Sequence, residues 1–83
     1  MAQQKTTDIT AGPGGVMTDE AGVVTGDLTV ATTLDGTALV VRVQYKGATE
    51  WYTVTGTKAT LSDPKDLDAV HSVVVGLLNR PQG

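Results

Sequence analysis

Eighty-three residues, nine Asp and Glu against six Lys and Arg, one histidine and no cysteine set the first bounds on this chain. The length holds one small domain, which buries roughly 60–65% of the surface its unfolded form exposes. The missing cysteines exclude disulfides, thiolate metal sites and thiol nucleophiles, the single His71 leaves imidazole metal sites without partners, and the scattered Lys5, Arg42, Lys46, Lys58, Lys65 and Arg80 argue against a phosphate-binding patch.

Residues 1–15 carry no hydrophobic periodicity, and Ala11-Gly12-Pro13-Gly14-Gly15 combines residues that resist ordering with one that cannot donate to a β-ladder. The reading is an extended N-terminal arm over 1–15, flexible or ordered by a partner, ahead of a single α+β domain over 16–83. The first residues lack the apolar stretch of a signal peptide, and no apolar run reaches the ~20 residues that span a bilayer. The expected location is cytoplasmic, or a virion assembled from a cytoplasmic pool.

Abundant Thr and Val with no Phe predict a sheet whose outer face is largely threonine. Val16-Met17-Thr18 and Val23-Val24-Thr25 read as a small hairpin, with Gly22 supplying positive φ in the turn. Leu28, Val30 and Thr32 alternate with Thr29, Ala31 and Thr33 up to an Asp35-Gly36 turn. The next strand, 37–45, puts Leu39, Val41, Val43 and Tyr45 on one face and Ala38, Val40, Arg42 and Gln44 on the other, as a central strand would. After a turn at Lys46-Gly47-Ala48, residues 49–55 divide into Glu50/Tyr52/Val54 and Thr49/Trp51/Thr53/Thr55. Residues 57–61 follow as a short further strand.

Ser62-Asp63-Pro64-Lys65-Asp66 reads as a helix start, and Asn79 with Pro81 as its end, which predicts a helix over about 63–79. At 100° per residue its apolar positions run from Val73 through Leu77, Val70, Val74, Leu67 and Leu78 to Val75, an arc of roughly 200° against the ~100° of an ordinary surface helix. One sheet face cannot cover that arc, so either the arm or a second subunit is expected over the remainder. The fold class is therefore α+β: a small antiparallel sheet of three to five strands in meander or hairpin order, one C-terminal helix packed on it, and an N-terminal arm.

No motif adds chemistry. His71 borders the apolar face and reads as a partly buried, hydrogen-bonded side chain with no relay partner placed by sequence. Asp63, Asp66 and Asp68 lack the spacing of a calcium loop and suit a helix start. Asp19-Glu20 reads as a solvated turn. Gly12-Pro13-Gly14-Gly15 lacks the following Lys and hydroxyl of a phosphate loop, as Gly56-Thr57-Lys58 lacks the upstream glycine. Trp51 falls on a threonine face, where it is either covered by the arm or kept as a binding anchor.

No catalytic, cofactor or metal residue is expected. The predicted role is a non-enzymatic structural or assembly subunit of a homo- or hetero-oligomer, a virion component such as a capsid-associated or decoration protein among the possibilities. Its partners would be other protein subunits, with neither membrane nor nucleic acid favoured, and the candidate interface residues are Trp51, Val73, Val75, Leu77, Gly12, Pro13 and Gly14. The alternative is a monomeric regulatory or inhibitory module that recognises a protein, or less readily a nucleic acid, through the Trp51 face.

Overall fold

The computed structural model describes residues 2–81 and runs β1 (Ala2–Thr18), β2 (Gly22–Asp35), β3 (Ala38–Tyr45), β4 (Tyr52–Thr53), β5 (Ala59–Thr60), a 3-10 turn (Pro64–Asp66) and α1 (Leu67–Leu78). Met1, Gln82 and Gly83, at the ends of the expected arm and domain, lie outside the described residues. The sheet is antiparallel in the order β1-β2-β3-β4, with β5 also paired to β3. The expected α+β class, an antiparallel sheet with one C-terminal helix, is what the chain forms.

The arm is the expectation that fails. Residues 2–15 belong to β1, laddered on β2 from Ala2↔Asp35 to Ala11↔Gly26. The pattern was not hydrophobic because the inward side chains here meet the helix through polar contacts. Lys5 Nζ lies 2.8 Å from Asp68, and Thr7 Oγ1 lies 2.7 Å from His71 Nε2. Among the residues of this stretch whose burial is described, only Ile9 and Ala11 are apolar side chains that are buried. Threonine, with its β-branched stiffness, supplies the strand preference instead.

The glycine-rich segment is a bulge inside β1. Between the pairs Ala11↔Gly26 and Val16↔Val24, residues 12–15 oppose Thr25 alone. Pro13 is accommodated where no ladder N–H is required. Gly15 adopts φ +68°, and a Cβ there would meet the Val23 side chain and lie 2.7 Å from the Val24 carbonyl oxygen. Extra residues in one strand bend it and increase its twist. Beyond the bulge, Met17 and Thr18 meet β4 and the residues that follow it.

The curved sheet consequently closes on itself. Thr18 bridges Val54, the Thr55 N–H donates to the Met17 carbonyl at 3.0 Å, and the Asp19 N–H donates to the Thr53 carbonyl at 2.9 Å. On its other side β4 pairs with β3, with the Val54 N–H donating to the Val41 carbonyl at 2.9 Å. The expected small hairpin is thus the tip of a long one. Asp19-Glu20, read as a solvated turn, clamps β4: the Glu20 carboxylate accepts the Thr53 N–H at 2.6 Å and the Thr53 hydroxyl at 3.0 Å.

The core lies between the concave side of the sheet and α1. Ile9, Ala11, Val16, Val24, Leu28, Val30, Val41, Val43 and Val54 form one buried cluster, against which Tyr52, Val74, Val75 and Leu78 pack. Leu34, Leu39 and Leu67 form a second, with Leu61 and Val70. The expected helix over 63–79 divides in two. Asp63 accepts the Lys65 N–H at 3.0 Å and opens the 3-10 turn that leads into α1. At the other end the Asn79 side chain accepts the Thr10 N–H at 3.0 Å and the Arg80 N–H donates to the Thr10 carbonyl at 2.9 Å. The strand of 49–55 shortens to Tyr52–Thr53 and that of 57–61 to Ala59–Thr60. No described helix is long and apolar enough to cross a membrane.

Candidate interaction surface

The 3.6-residue repeat of α1 buries Leu67 and His71 and leaves Val70, Val74, Val75 and Leu78 half-buried against the sheet. Val73 and Leu77 are left outside at 61% and 62% exposure. One end of the 200° arc therefore stays uncovered. Val75, at the opposite end of the arc, packs on the core and is not part of this outer stripe.

Two shallow depressions flank the stripe. One, of about 270 Å3, is lined by Ala69, Val70, Val73 and Val74 and is wholly apolar. The other lies where Leu77, Leu78 and Arg80 meet Gly12, Gly14 and Gly15 of the bulge. Of the residues proposed from sequence, Leu77, Gly12 and Gly14 therefore come together, Val73 is one helical turn away, and Pro13 is exposed in the same bulge.

The surface continues into residues that the sequence reading passed over. Gly15 abuts the Val23 side chain, and Val23 pairs across the hairpin with Met17. These two are 51% and 53% exposed. Their signal was in the alternation itself, because a tip that turns Val16, Thr18 and Val24 inward must turn Met17 and Val23 outward. Leu77 of the helix and Val23 of the hairpin tip thus both border the glycine bulge, with Val73 one helical turn beyond Leu77 and Met17 paired to Val23.

Trp51 lies elsewhere, on the convex face of the sheet. It lines a depression with Gln4, Ala31, Thr33 and Arg42, and is 37% exposed. Gln4 belongs to the segment expected as an arm, so part of the tryptophan's cover comes from there, as strand rather than wrap. Thr33 and Arg42 also border a neighbouring depression of about 370 Å3 with Asp35, Ala38, Leu39, Val40, Lys58 and Ala59.

His71 joins helix to sheet. Its Nδ1 lies 2.8 Å from the Thr32 hydroxyl and its Nε2 lies 2.7 Å from the Thr7 hydroxyl, on β2 and β1 respectively. Burial holds the imidazole below its usual pKa, nearby Lys5 lowers it further, and Asp68 opposes both. A neutral ring gives one N–H to one hydroxyl and accepts from the other, which satisfies both ring nitrogens. Glu20 is held below the usual carboxylate range, foremost by the Thr53 N–H it accepts. Among the described residues no group of three or more His, Asp or Glu side chains converges on a common point. No protein-family model, curated protein or solved structure matches this chain.

Proposed function

We propose that the protein is a non-enzymatic assembly subunit that works through Val73, Leu77, the glycine bulge, Val23 and Met17, within a homo- or hetero-oligomer of which a virion lattice is one setting. The observation that carries this reading is that exposed apolar side chains of the helix (Val73, Leu77) and of the hairpin tip (Met17, Val23) lie on either side of the same glycine bulge. Withdrawing such area from water contributes about 25 cal/mol per Å2, which favours a covered state once a partner is present. Absolute mass by light scattering, from micromolar to near-millimolar chain, tests it. A mass of two or more chains is expected, and a single-chain mass throughout overturns self-assembly.

The half-exposed Trp51 beside Arg42 supports a second reading, a monomeric module that binds a protein through the convex face. It leads if the chain is monomeric and the Trp51 emission is red-shifted and accessible to quencher. Aromatic and arginine side chains are the commonest anchors of such contacts.

A further inference from the structure

We infer that the open edge of β1, at Gln4, Thr6 and Asp8, pairs antiparallel with the same edge of a second copy, about a two-fold axis at Thr6. This goes beyond the assembly reading above, because it uses a different surface and main-chain hydrogen bonds in place of apolar contact.

The backbone carries the inference. β1 ends the sheet order, so its residues 2–10 have β2 on one side and no described strand on the other. At Thr10 both main-chain groups turn away from β2, the N–H to the Asn79 side chain and the carbonyl to the Arg80 N–H. Opposite Thr10, the Asp27 carbonyl turns away from β1 and accepts the Lys46 N–H. Thr10↔Asp27 is therefore a non-hydrogen-bonded pair of the ladder, and such pairs alternate with bonded ones. By that alternation Gln4, Thr6 and Asp8 also aim their N–H and carbonyl groups away from β2. Among the described residues these groups have no protein partner, and all three residues are exposed. A row of unpaired donors and acceptors of this kind is a template for another strand.

The register follows from the side chains and from Thr10. With the axis at Thr6, Thr6 meets Thr6, and Gln4 meets Asp8 of the other copy, each pair exchanging main-chain bonds. Threonine on threonine and the Gln4 amide against the Asp8 carboxylate are favourable neighbours across strands. An axis at Lys5 would instead set two ammonium-bearing side chains directly opposite each other. An axis at Thr7 would set Gln4 opposite Thr10, whose main-chain groups Asn79 and Arg80 already hold. An inward-turned charge protects some edges, but Lys5 is answered within its own chain by Asp68 at 2.8 Å. The same patch serves both copies, as an isologous contact requires.

The contact is small, so a weak, reversible dimer in the micromolar range or above is expected. The experiment is amide hydrogen exchange of the full chain by NMR, from micromolar to millimolar concentration. Thr7 and Ile9, whose N–H groups face β2, should be protected throughout, while Gln4, Thr6 and Asp8 should gain protection several-fold as concentration rises. Sedimentation equilibrium of three variants is the second measurement. Thr6→Pro removes an outward N–H and leaves the β2 ladder whole, as edge strands tolerate, and should raise the dissociation constant at least tenfold. Gln4→Glu, set against the Asp8 carboxylate, should weaken the dimer several-fold, and Gln4→Lys should tighten it. Both positions are exposed, so circular dichroism should stay native. A dimer whose Gln4, Thr6 and Asp8 amides exchange as in the monomer overturns the edge pairing and leaves the assembly reading intact. Protection at those amides in the dilute monomer overturns the open edge, and a dimer indifferent to both Gln4 variants overturns the register. A monomer at every concentration overturns the edge pairing and self-assembly together.

Discussion

Gly15 and its neighbour Gly14 discriminate sharply between an arm and a bulged strand. Gly15→Ala introduces a Cβ at φ +68°, where it abuts the Val23 side chain and lies 2.7 Å from the Val24 carbonyl oxygen and 2.9 Å from Thr25 Cγ2. The left-handed backbone costs an L-residue about 1–2 kcal/mol. Forcing the two strands apart to relieve the overlap costs about 1–3 kcal/mol more. Together these reach roughly 2–5 kcal/mol, a large part of the ~4–12 kcal/mol that stabilises a domain of this size. Gly14→Ala meets nothing within 4 Å, and Gly14 is not among the positive-φ residues. Its effect should stay within about 1 kcal/mol, the scale of the unfolded-state entropy it removes. Thermal denaturation followed by circular dichroism and by Trp51 fluorescence measures both. Gly15→Ala should lower Tm by about 10 °C or more, at roughly 4–8 °C per kcal/mol. Equal and negligible shifts for the two variants would refute the bulge and return residues 12–15 to a loose arm.

Two further predictions follow from the core. His71 has its folded pKa below the ordinary value of 6.5 because burial disfavours the cation. Its contribution is therefore complete above the unfolded pKa and is lost as pH falls through the folded pKa. Urea midpoints should drop from about pH 7.5 to about pH 5.5 in the native chain, and His71→Gln should flatten that limb. Unchanged pH dependence in the variant would show that other groups govern it. Leu28→Ala, at a fully buried position where β2 faces the helix, should cost about 2–5 kcal/mol in urea denaturation. A loss below about 1 kcal/mol would mean that the core is not formed around β2.

Much of the architecture was legible wherever one face is buried and the other wet. The alternation of Leu28, Val30 and Thr32, and of Leu39, Val41 and Val43, predicted β2 and β3 because a buried pleat needs period two. Asp35-Gly36 predicted their turn, and Gly36 takes φ +62°. Pro64 and Asn79 bounded the helix, since capping chemistry is local.

The N-terminal strand was not legible, because what orders it is distant in sequence. Its inward Lys5 and Thr7 meet Asp68 and His71, and the Thr10 backbone N–H meets the Asn79 side-chain oxygen, all more than sixty residues away. Polar partners of that kind leave no hydrophobic period to read. For the same reason the flexibility suggested by Gly12-Pro13-Gly14-Gly15 became a fixed bend once β2 supplied a ladder on either side. The candidate surface shows the same division. Local periodicity made Val73 and Leu77 surplus to one sheet face, but only the closed, curved sheet decided that Val75 turns inward, that Trp51 lies on the convex side, and that Val23 borders the same bulge as Leu77. A residue's period determines which neighbours share its face, whereas the curvature of the sheet determines which face is covered.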